Sequence, residues 1–420
     1  MCLTIPAKVI KIQGNQAEIL RNDQKILVNI LAIPKVKVGA WILYISDFAL
    51  KLISKKDAQE ILELLESKPA IPVDNLDPKF SKIIAKLRSK RTISKPEIEY
   101  LLASQGNEEQ ALLSEADLAR KTYIKDFICI HGIIEFSNYC HNDCFYCGIR
   151  RQSKSVKRYR LSEAEIINSA VEAADRGYKL LVLQSGEDLF YTTEKLVRIV
   201  RGIKAKSKVF LILSIGERDY DTYAELKKAG ANGVLFRFET TNPTIFSQIH
   251  PKGKNLENRF NHLKFFKELG YFIATGSIVG LPGQTATDLA DDILTTKKWA
   301  NMVSFGPFVP CGDTPMGNDT SGNVETTLKM VAIFRLLNHK IKIPIATSLE
   351  TIAPIDGRKR ALSCGANSLM FDITPKQYRA HYKIYDNRYQ SDEKTWEKYG
   401  LFQLESSYRM LEKKILDEMS

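Results

Sequence analysis

From residue 128 onward, short apolar runs alternate with amphipathic helical stretches, and this alternation restricts the fold more than any other feature of the chain. The strand candidates are Ile128–Phe136, Leu180–Gln184, Val209–Ser214, Gly233–Phe238, Phe272–Ser277, Met302–Phe305, Lys342–Ile345 and Ser368–Phe371. Helical periodicity falls between them, over Ser162–Arg176, Glu194–Lys206, Tyr220–Ala229, Asn258–Leu269, Thr287–Ala300 and Val324–Leu337. Strands buried on both faces read as continuous apolar runs, and each parallel strand needs a crossover to bring the chain back. About eight such units over roughly 250 residues predict an α/β fold with a parallel (β/α)8 barrel.

The N-terminal residues follow another rhythm. Ala7–Ile12, Gln16–Leu20, Lys25–Ile30 and Trp41–Ser46 are short β-rich runs separated by Gly14-Asn15, Asn22-Asp23 and Gly39. This predicts a small, OB-like β-barrel. A helix follows over Asp57–Glu66, where Ala58, Ile61, Leu62 and Leu65 share one face. The division expected is therefore a small barrel plus helix over 1–67, a linker over 68–75 containing Pro69 and Pro72, and a large barrel with a helical lead-in over 76–390. A helical tail occupies 391–420, with Leu401–Met419 amphipathic.

Charge and cysteine usage narrow the class. A formal net charge of +12 fits a basic surface, but the lysines of Lys204–Lys208 alternate with helical apolar positions as a solvated face does. With no recognisable RNA-binding module, nucleic acid is not the expected partner. No run approaches the ~18 apolar residues of a membrane span, and Met1–Lys11 lacks a secretory apolar core. Of seven cysteines, Cys140, Cys144 and Cys147 are crowded together and the others are scattered. That distribution points to metal binding in a reducing, cytoplasmic compartment rather than to disulfides.

Cys140-x3-Cys144-x2-Cys147 follows the first strand of the large barrel, at the end where such barrels place their functional loops. Three thiolates leave one iron of a [4Fe–4S] cluster open to a further ligand. Zinc, the competing assignment, takes four protein ligands in structural sites, and no second cysteine pair exists here.

This spacing, with Tyr146 before the last cysteine, resembles the radical S-adenosylmethionine (SAM) superfamily. Ser185-Gly186-Glu187 after the second strand, Ser214 and Glu217 after the third, and Gly276-Ser277-Ile278-Val279-Gly280 after the fifth match its methionyl, ribose and adenine contacts. Gly132–Cys140, Lys157-Arg158-Tyr159-Arg160-Leu161, Leu183–Asp188, Val279–Thr285 and Cys364-Gly365-Ala366-Asn367 resemble, more narrowly, the HydE family of [FeFe]-hydrogenase maturases, from about residue 76 to 390. The resemblance implies a [4Fe–4S] cluster on Cys140, Cys144 and Cys147. It further implies SAM contacts at Tyr146, Gly186, Glu187, Ser214, Glu217, Arg237, Glu239, Ile278 and Tyr382, with Gln184 facing the substrate cavity. The expected chemistry is reductive cleavage of SAM to a 5′-deoxyadenosyl radical.

There are departures. Tyr385-Asp386-Asn387-Arg388-Tyr389 stands where the family often has a second cysteine cluster, Cys311 replaces a histidine, and Ala346-Thr347-Ser348-Leu349-Glu350 replaces a threonine-rich segment. Cys311 and Thr347 are thus substrate-side candidates, with an ordinary buried role favoured for Cys311. The opening Met1-Cys2-Leu3-Thr4-Ile5-Pro6-Ala7-Lys8-Val9, with Val38–Leu43 and Phe48-Ala49-Leu50, resembles the HypC/HupF chaperones of hydrogenase assembly, in which the N-terminal cysteine is the working group. Ile45 and Asp47 depart from that family's histidine and glycine. Both resemblances imply assembly of an iron–cyanide/carbonyl hydrogenase centre, with Cys2 docking the fragment or its carrier. Maturation proteins or a hydrogenase precursor, an organoiron or small-molecule substrate and a reductant protein are the expected partners. The alternatives are a radical SAM mutase or lyase on an amino-acid-like metabolite, and a non-catalytic cluster-bearing scaffold.

Overall fold

The computed structural model describes residues 5–21, 24–33, 35–45, 47–65, 72–124 and 128–389. Cys2, residues 68–71 of the proline linker and the expected Leu401–Met419 helix lie outside them.

Strands β1 (Ile5–Gln13), β2 (Gln16–Arg21), β3 (Gln24–Asn29), β4 (Trp41–Ile45) and β5 (Phe48–Ile53) close into a small barrel in the order β1-β2-β3-β5-β4. Alternate side chains fill it, among them Val9, Ala17, Ile19, Val28, Ile42 and Ala49. β5 was not among the expected strands. Its alternation is masked because Phe48 and Leu52 are apolar yet exposed, while the buried residue between them is a small alanine. Helix α1 (Lys55–Leu65) starts two residues before the expected point, because the Ser54 hydroxyl caps it by accepting from Asp57 N at 3.0 Å.

The lead-in consists of α2 (Pro78–Lys90), α3 (Lys95–Ala103) and α4 (Gly106–Tyr123). Asp77 caps α2, and Ser94 with Glu97 forms a capping box on α3. Then come β6 (Cys129–Ser137), α5 (Glu163–Asp175), β7 (Leu180–Ser185), α6 (Thr193–Lys206), β8 (Phe210–Ser214), α7 (Tyr220–Lys228) and β9 (Gly233–Leu235). The chain continues through α8 (Pro243–Ile249), α9 (Leu256–Glu268), β10 (Phe272–Thr275), β11 (Ile278–Val279), α10 (Ala286–Trp299), β12 (Met302–Val303), β13 (Gly306–Pro307) and α11 (Val324–Leu337). Last are α12 (Thr347–Ile352), α13 (Gly357–Leu362), β14 (Ser368–Asp372) and α14 (Lys376–Arg379).

Seven parallel strands run in the order β12-β10-β9-β8-β7-β6-β14, while β11 and β13 form a separate parallel pair. The expected strand Lys342–Ile345 is present only as single bridges, Met302 to Lys342 and Pro344 to Ser368. Pro344 has no N–H to give a ladder, so a regular strand cannot form through it. Val303 N donates to Lys342 O and Ile345 N to Ser368 O, each at 2.9 Å, and this segment joins β12 to β14 and completes the ring.

The strand register sorts the barrel interior into layers. Ile133, Val182, Ile212, Ala274 and Met302 belong to one apolar interior cluster. Two residues further along β6, β7 and β8, the aligned residues are Glu135, Gln184 and Ser214. The period of two that packs the apolar layer therefore also aims these polar side chains inward, at the end where the strand loops gather.

Candidate active site

The loop after β6 carries Cys140, Cys144 and Cys147 and is pinned from several sides. His141 N donates to Glu187 O (3.1 Å), Phe145 N to Ile249 O (2.9 Å) and Gly148 N to Ile384 O (2.7 Å). Arg158 reaches under the loop, giving its guanidinium to the carbonyls of Asn138, Ile149 (2.9 Å) and Arg150. Phe145 and Tyr146 pack on a separate apolar cluster of Ile245, Ile249, Ile278, Leu281, Phe308 and Met316. The loop is thus fixed by tertiary contacts instead of regular structure.

All three cysteines line one cavity of about 280 Å3. The same cavity is lined by Tyr146, Gln184, Gly186, Glu187, Ser214, Arg237, Glu239, Ile278 and Tyr382, so twelve of the sixteen residues singled out from the sequence meet there. Gly186 is required by space. A Cβ on it would lie 2.3 Å from the Tyr139 carbonyl and 2.8 Å from Cys140 Cβ. Gly216, with φ of +72°, lies so close to Glu187 that a Cβ would meet its side chain at 2.0 Å.

The electrostatics suit a cationic, sulfur-loving group. Burial pushes the Cys140 thiol up, and burial with the neighbouring Cys140 pushes Cys144 up to about 12. Burial and the two other thiols push Cys147 well above the usual range. Without a cation these thiols keep their protons; bound iron reverses that, because a coordinating thiol gives up its proton. No trio of His, Cys, Asp or Glu among the described residues converges as a single-ion site does. The three thiols instead border a shared volume, which suits a cluster of several irons better than zinc.

The same cavity also holds unsatisfied polar atoms. Arg237 Nε lies 3.1 Å from Glu239 Oε2, close enough for an ion pair, yet neither atom makes an aligned hydrogen bond, and Arg237 Nη2 also has none. Buried donors and acceptors are rarely left open without a ligand to meet them. Glu239 has φ of +68°, an uncommon backbone for a non-glycine residue and one that clusters at functional sites. These features fit the two ends of a zwitterionic amino acid such as the methionyl part of SAM.

Glu217 sits elsewhere. It lines a neighbouring surface groove, not the cavity, and is held by Lys254 (2.9 Å) and Arg259 (3.0 Å). Burial would raise its pKa, but Arg259 and Lys254 outweigh it and the carboxyl is lowered. Cys311 does not line the cavity. It is buried against Gly148, with its thiol 3.5 Å from Asp386 Oδ1. At the start of α12 it is Ser348, not Thr347, that lines the cavity.

Sequence reasoning missed Arg259, Tyr385 and Arg388. Arg259 lies on the buried stripe of α9 with His262, Leu263 and Phe266, and a charge on an inward stripe was the available signal. Arg388 donates two charge-assisted bonds to Glu135, at 2.9 and 2.5 Å, and Gln184 and Ser214 continue that chain at 3.4 and 3.2 Å. Burial pushes the Glu135 carboxyl up, and Arg388 offsets this only in part. Nothing local in the sequence pairs residues 253 positions apart.

Fold and site together define a radical SAM protein: the family model of the radical SAM superfamily matches residues 134–295, and that of the HupF/HypC family matches residues 1–65. The [FeFe] hydrogenase maturase subunit HydE of Thermotoga maritima is 45% identical over 280 residues, 66% of this chain and 80% of that one. The chain belongs to the HydE family. It is a SAM-dependent iron–sulfur enzyme whose cofactors are a [4Fe–4S] cluster and SAM. 3-Methylornithine synthase of Methanosarcina acetivorans is 28% identical over 278 residues, 66% of this chain and 78% of that one. Among solved structures, methylornithine synthase (PylB) superposes with a TM-score of 0.68 at 24% identity, over 76% of this chain and 95% of that one. The maturase HydG of Carboxydothermus hydrogenoformans gives 0.67 at 22% identity, over 82% of each chain. At those identities the likeness is one of fold.

Proposed function

We propose that Cys140, Cys144 and Cys147 would hold the cluster, three thiolates leaving one iron open for SAM. When bound and reduced, this pair supplies a 5′-deoxyadenosyl radical for hydrogen abstraction. The protein's share is placement and exclusion of water. Arg237 and Glu239 meet the charged ends of SAM, Gly186 lets the chain approach its methionyl part, Ser214 meets its ribose, and Ile278 packs on its adenine. Glu187 and Glu217 are held ready by Lys254, and Tyr146 and Tyr382 wall the site. The polar chain Arg388–Glu135–Gln184–Ser214 faces the inner end, where substrate sits. The family match and the HupF/HypC module support a step in building a hydrogenase iron–cyanide/carbonyl centre, on an organoiron or small precursor. Cys2 docks that fragment or its protein carrier, and maturation proteins or the hydrogenase precursor are the partners. Free thiols and a reduced cluster belong in the cytoplasm.

The observation that carries this reading is that three thiols and an unsatisfied Arg–Glu pair border the same cavity. The test is iron and sulfide content with electron paramagnetic resonance after anaerobic reconstitution. We expect about four irons and four sulfides per chain, as a cubane requires, with a signal that changes on adding SAM. A chain that binds one zinc and no sulfide would contradict the assignment.

A further inference from the structure

The loops after β6 and β7 are zipped together on the outer side of the cysteine site. His141 N and Nδ1 both reach the Glu187 carbonyl, at 3.1 and 2.9 Å, and Gly186 N donates to Ser137 O at 3.1 Å. The outer face of this pair is apolar without serving the core: Leu189 is 62%, Phe190 48% and Tyr139 36% exposed. Cations frame that spot. Arg160 stands 3.7 Å over the Tyr139 ring and 4.7 Å over Phe190, and Lys195 stands 3.4 Å over Phe190. Arg160 is itself held by two bonds to buried Asp188, at 2.7 and 2.9 Å.

Beyond His141 the same loop borders a surface groove of about 340 Å3 lined by Arg151, Lys252 and Lys254. The carboxylates in this groove are already neutralised. Asp143 is met by Arg150 and Arg151, and Glu217 by Lys254 and Arg259. Each of these carboxylates faces two cations, and exposed Lys252 adds another, so the rim is cationic on balance.

Cys140 lies between the two features. Its chain neighbours Tyr139 and His141 are on the outer face, while the cysteine itself lines the inner cavity. One thiolate can therefore be approached through its backbone from outside while the cavity side stays open for SAM. An exposed aromatic and aliphatic spot with Arg and Lys around it has the composition of an interface core and rim. A cationic rim selects an acidic partner and speeds its encounter.

We propose that this face docks an acidic, low-potential one-electron carrier protein that reduces the cluster through the Tyr139–His141 segment. One electron leaves the carrier, which is oxidised, and the cluster is reduced by one electron. No bond breaks and no proton moves at the docking step. The inference rests on the cluster assignment above, but its test needs neither substrate nor SAM cleavage, and failure of the assignment would show first as an absent cluster.

The experiment uses the full reconstituted chain with a plant-type [2Fe–2S] ferredoxin as probe. Binding of oxidised ferredoxin is measured by calorimetry, and bleaching of the cluster by reduced ferredoxin and by dithionite is followed by stopped flow. In the Leu189→Ser, Phe190→Ser double variant, ferredoxin binding and ferredoxin-driven reduction both fall about tenfold or more, as for loss of interface anchors. Reduction by dithionite stays unchanged. Lys252→Glu slows the ferredoxin-driven rate and flattens its dependence on salt. Four results would overturn the proposal: no ferredoxin binding by the unmodified chain, wild-type behaviour of the double variant, an equal loss with dithionite, or a change only in oligomeric state. The third would make the spot a packing element of the loop, and the fourth a self-association face.

Discussion

The two halves of the large barrel are built differently. From β14 through β6, β7 and β8 the strands share a ladder of five matched positions on each neighbour, such as Glu135, Gln184 and Ser214. From β9 through β10 and β12 to the 341–345 segment the ladder thins to two or three paired positions and then to single bridges. The regular half presents most of the residues assigned to cluster and SAM. The irregular half supplies Pro307, Phe308 and Ser348 as cavity wall, and the segment after β14 adds Tyr382, Ile384 and Tyr385. A ladder fixes side chains to within the tolerance that one shared chemistry needs, whereas loops and a short helix can change without disturbing it. The departures noted in the sequence lie outside the ladder, Cys311 and 346–350 in the irregular half and 385–389 in the segment after β14.

Substitutions can break or sharpen this contrast. The largest effect is expected for Cys144→Ala, which removes a proposed ligand: cluster absorbance and 5′-deoxyadenosine formation should both be lost. Next comes Arg388→Ala, which strips the buried partner from Glu135. Breaking a buried pair this way costs about 3 kcal/mol or more, read as a lower melting temperature. If that variant melted like the parent, the 382–389 segment would not be tied to the regular half as described. Arg237→Ala should weaken SAM binding by about 2 kcal/mol, roughly thirtyfold in Kd by equilibrium dialysis, because a charge-assisted contact is removed. Cys311→Ala, on the irregular side, should leave SAM affinity and cluster content alone and cost less than about 1.5 kcal/mol of stability. An equal loss of cluster would place Cys311 among the ligands.

The smallest effect concerns acid. Asp313 accepts from Ser153 Oγ (2.7 Å), Lys154 N (3.0 Å), Ser155 N (3.1 Å) and Ser155 Oγ (2.9 Å), and these bonds, the Ser153 hydroxyl first, hold its carboxyl down at about 2. A carboxyl lowered on folding adds stability that is complete above its ordinary pKa of 3.8 and is lost as pH falls toward 2. Asp313→Asn should therefore remove one component of the acid sensitivity between those values, seen in pH-dependent unfolding.

The same contrast explains what could be read from the sequence. The long apolar runs of β6, β7 and β8 and the cysteine spacing were legible, because burial on both faces and ligand geometry leave direct marks on residue order. β5 and the 341–345 segment were less so, since exposed apolar side chains hide alternation and Pro344 breaks a ladder whose neighbours still look β-like. Gly186 and the pair Arg237 and Glu239 were placed through family motifs, and the cavity gathers them. Arg259 and Arg388 act across long sequence separations, and only the folded chain brings them to Glu217 and Glu135. Ser348 in place of Thr347 is a matter of which side of a short helix faces inward, a distinction that six residues of sequence cannot fix.

The most direct test of the central claim is chromatography for 5′-deoxyadenosine after anaerobic reconstitution and dithionite reduction in the presence of SAM, with Cys144→Ala as control. The account predicts 5′-deoxyadenosine from the intact chain and none from the variant. An intact chain with a full, reduced cluster and bound SAM that forms none, with or without an iron–cyanide precursor, would contradict it.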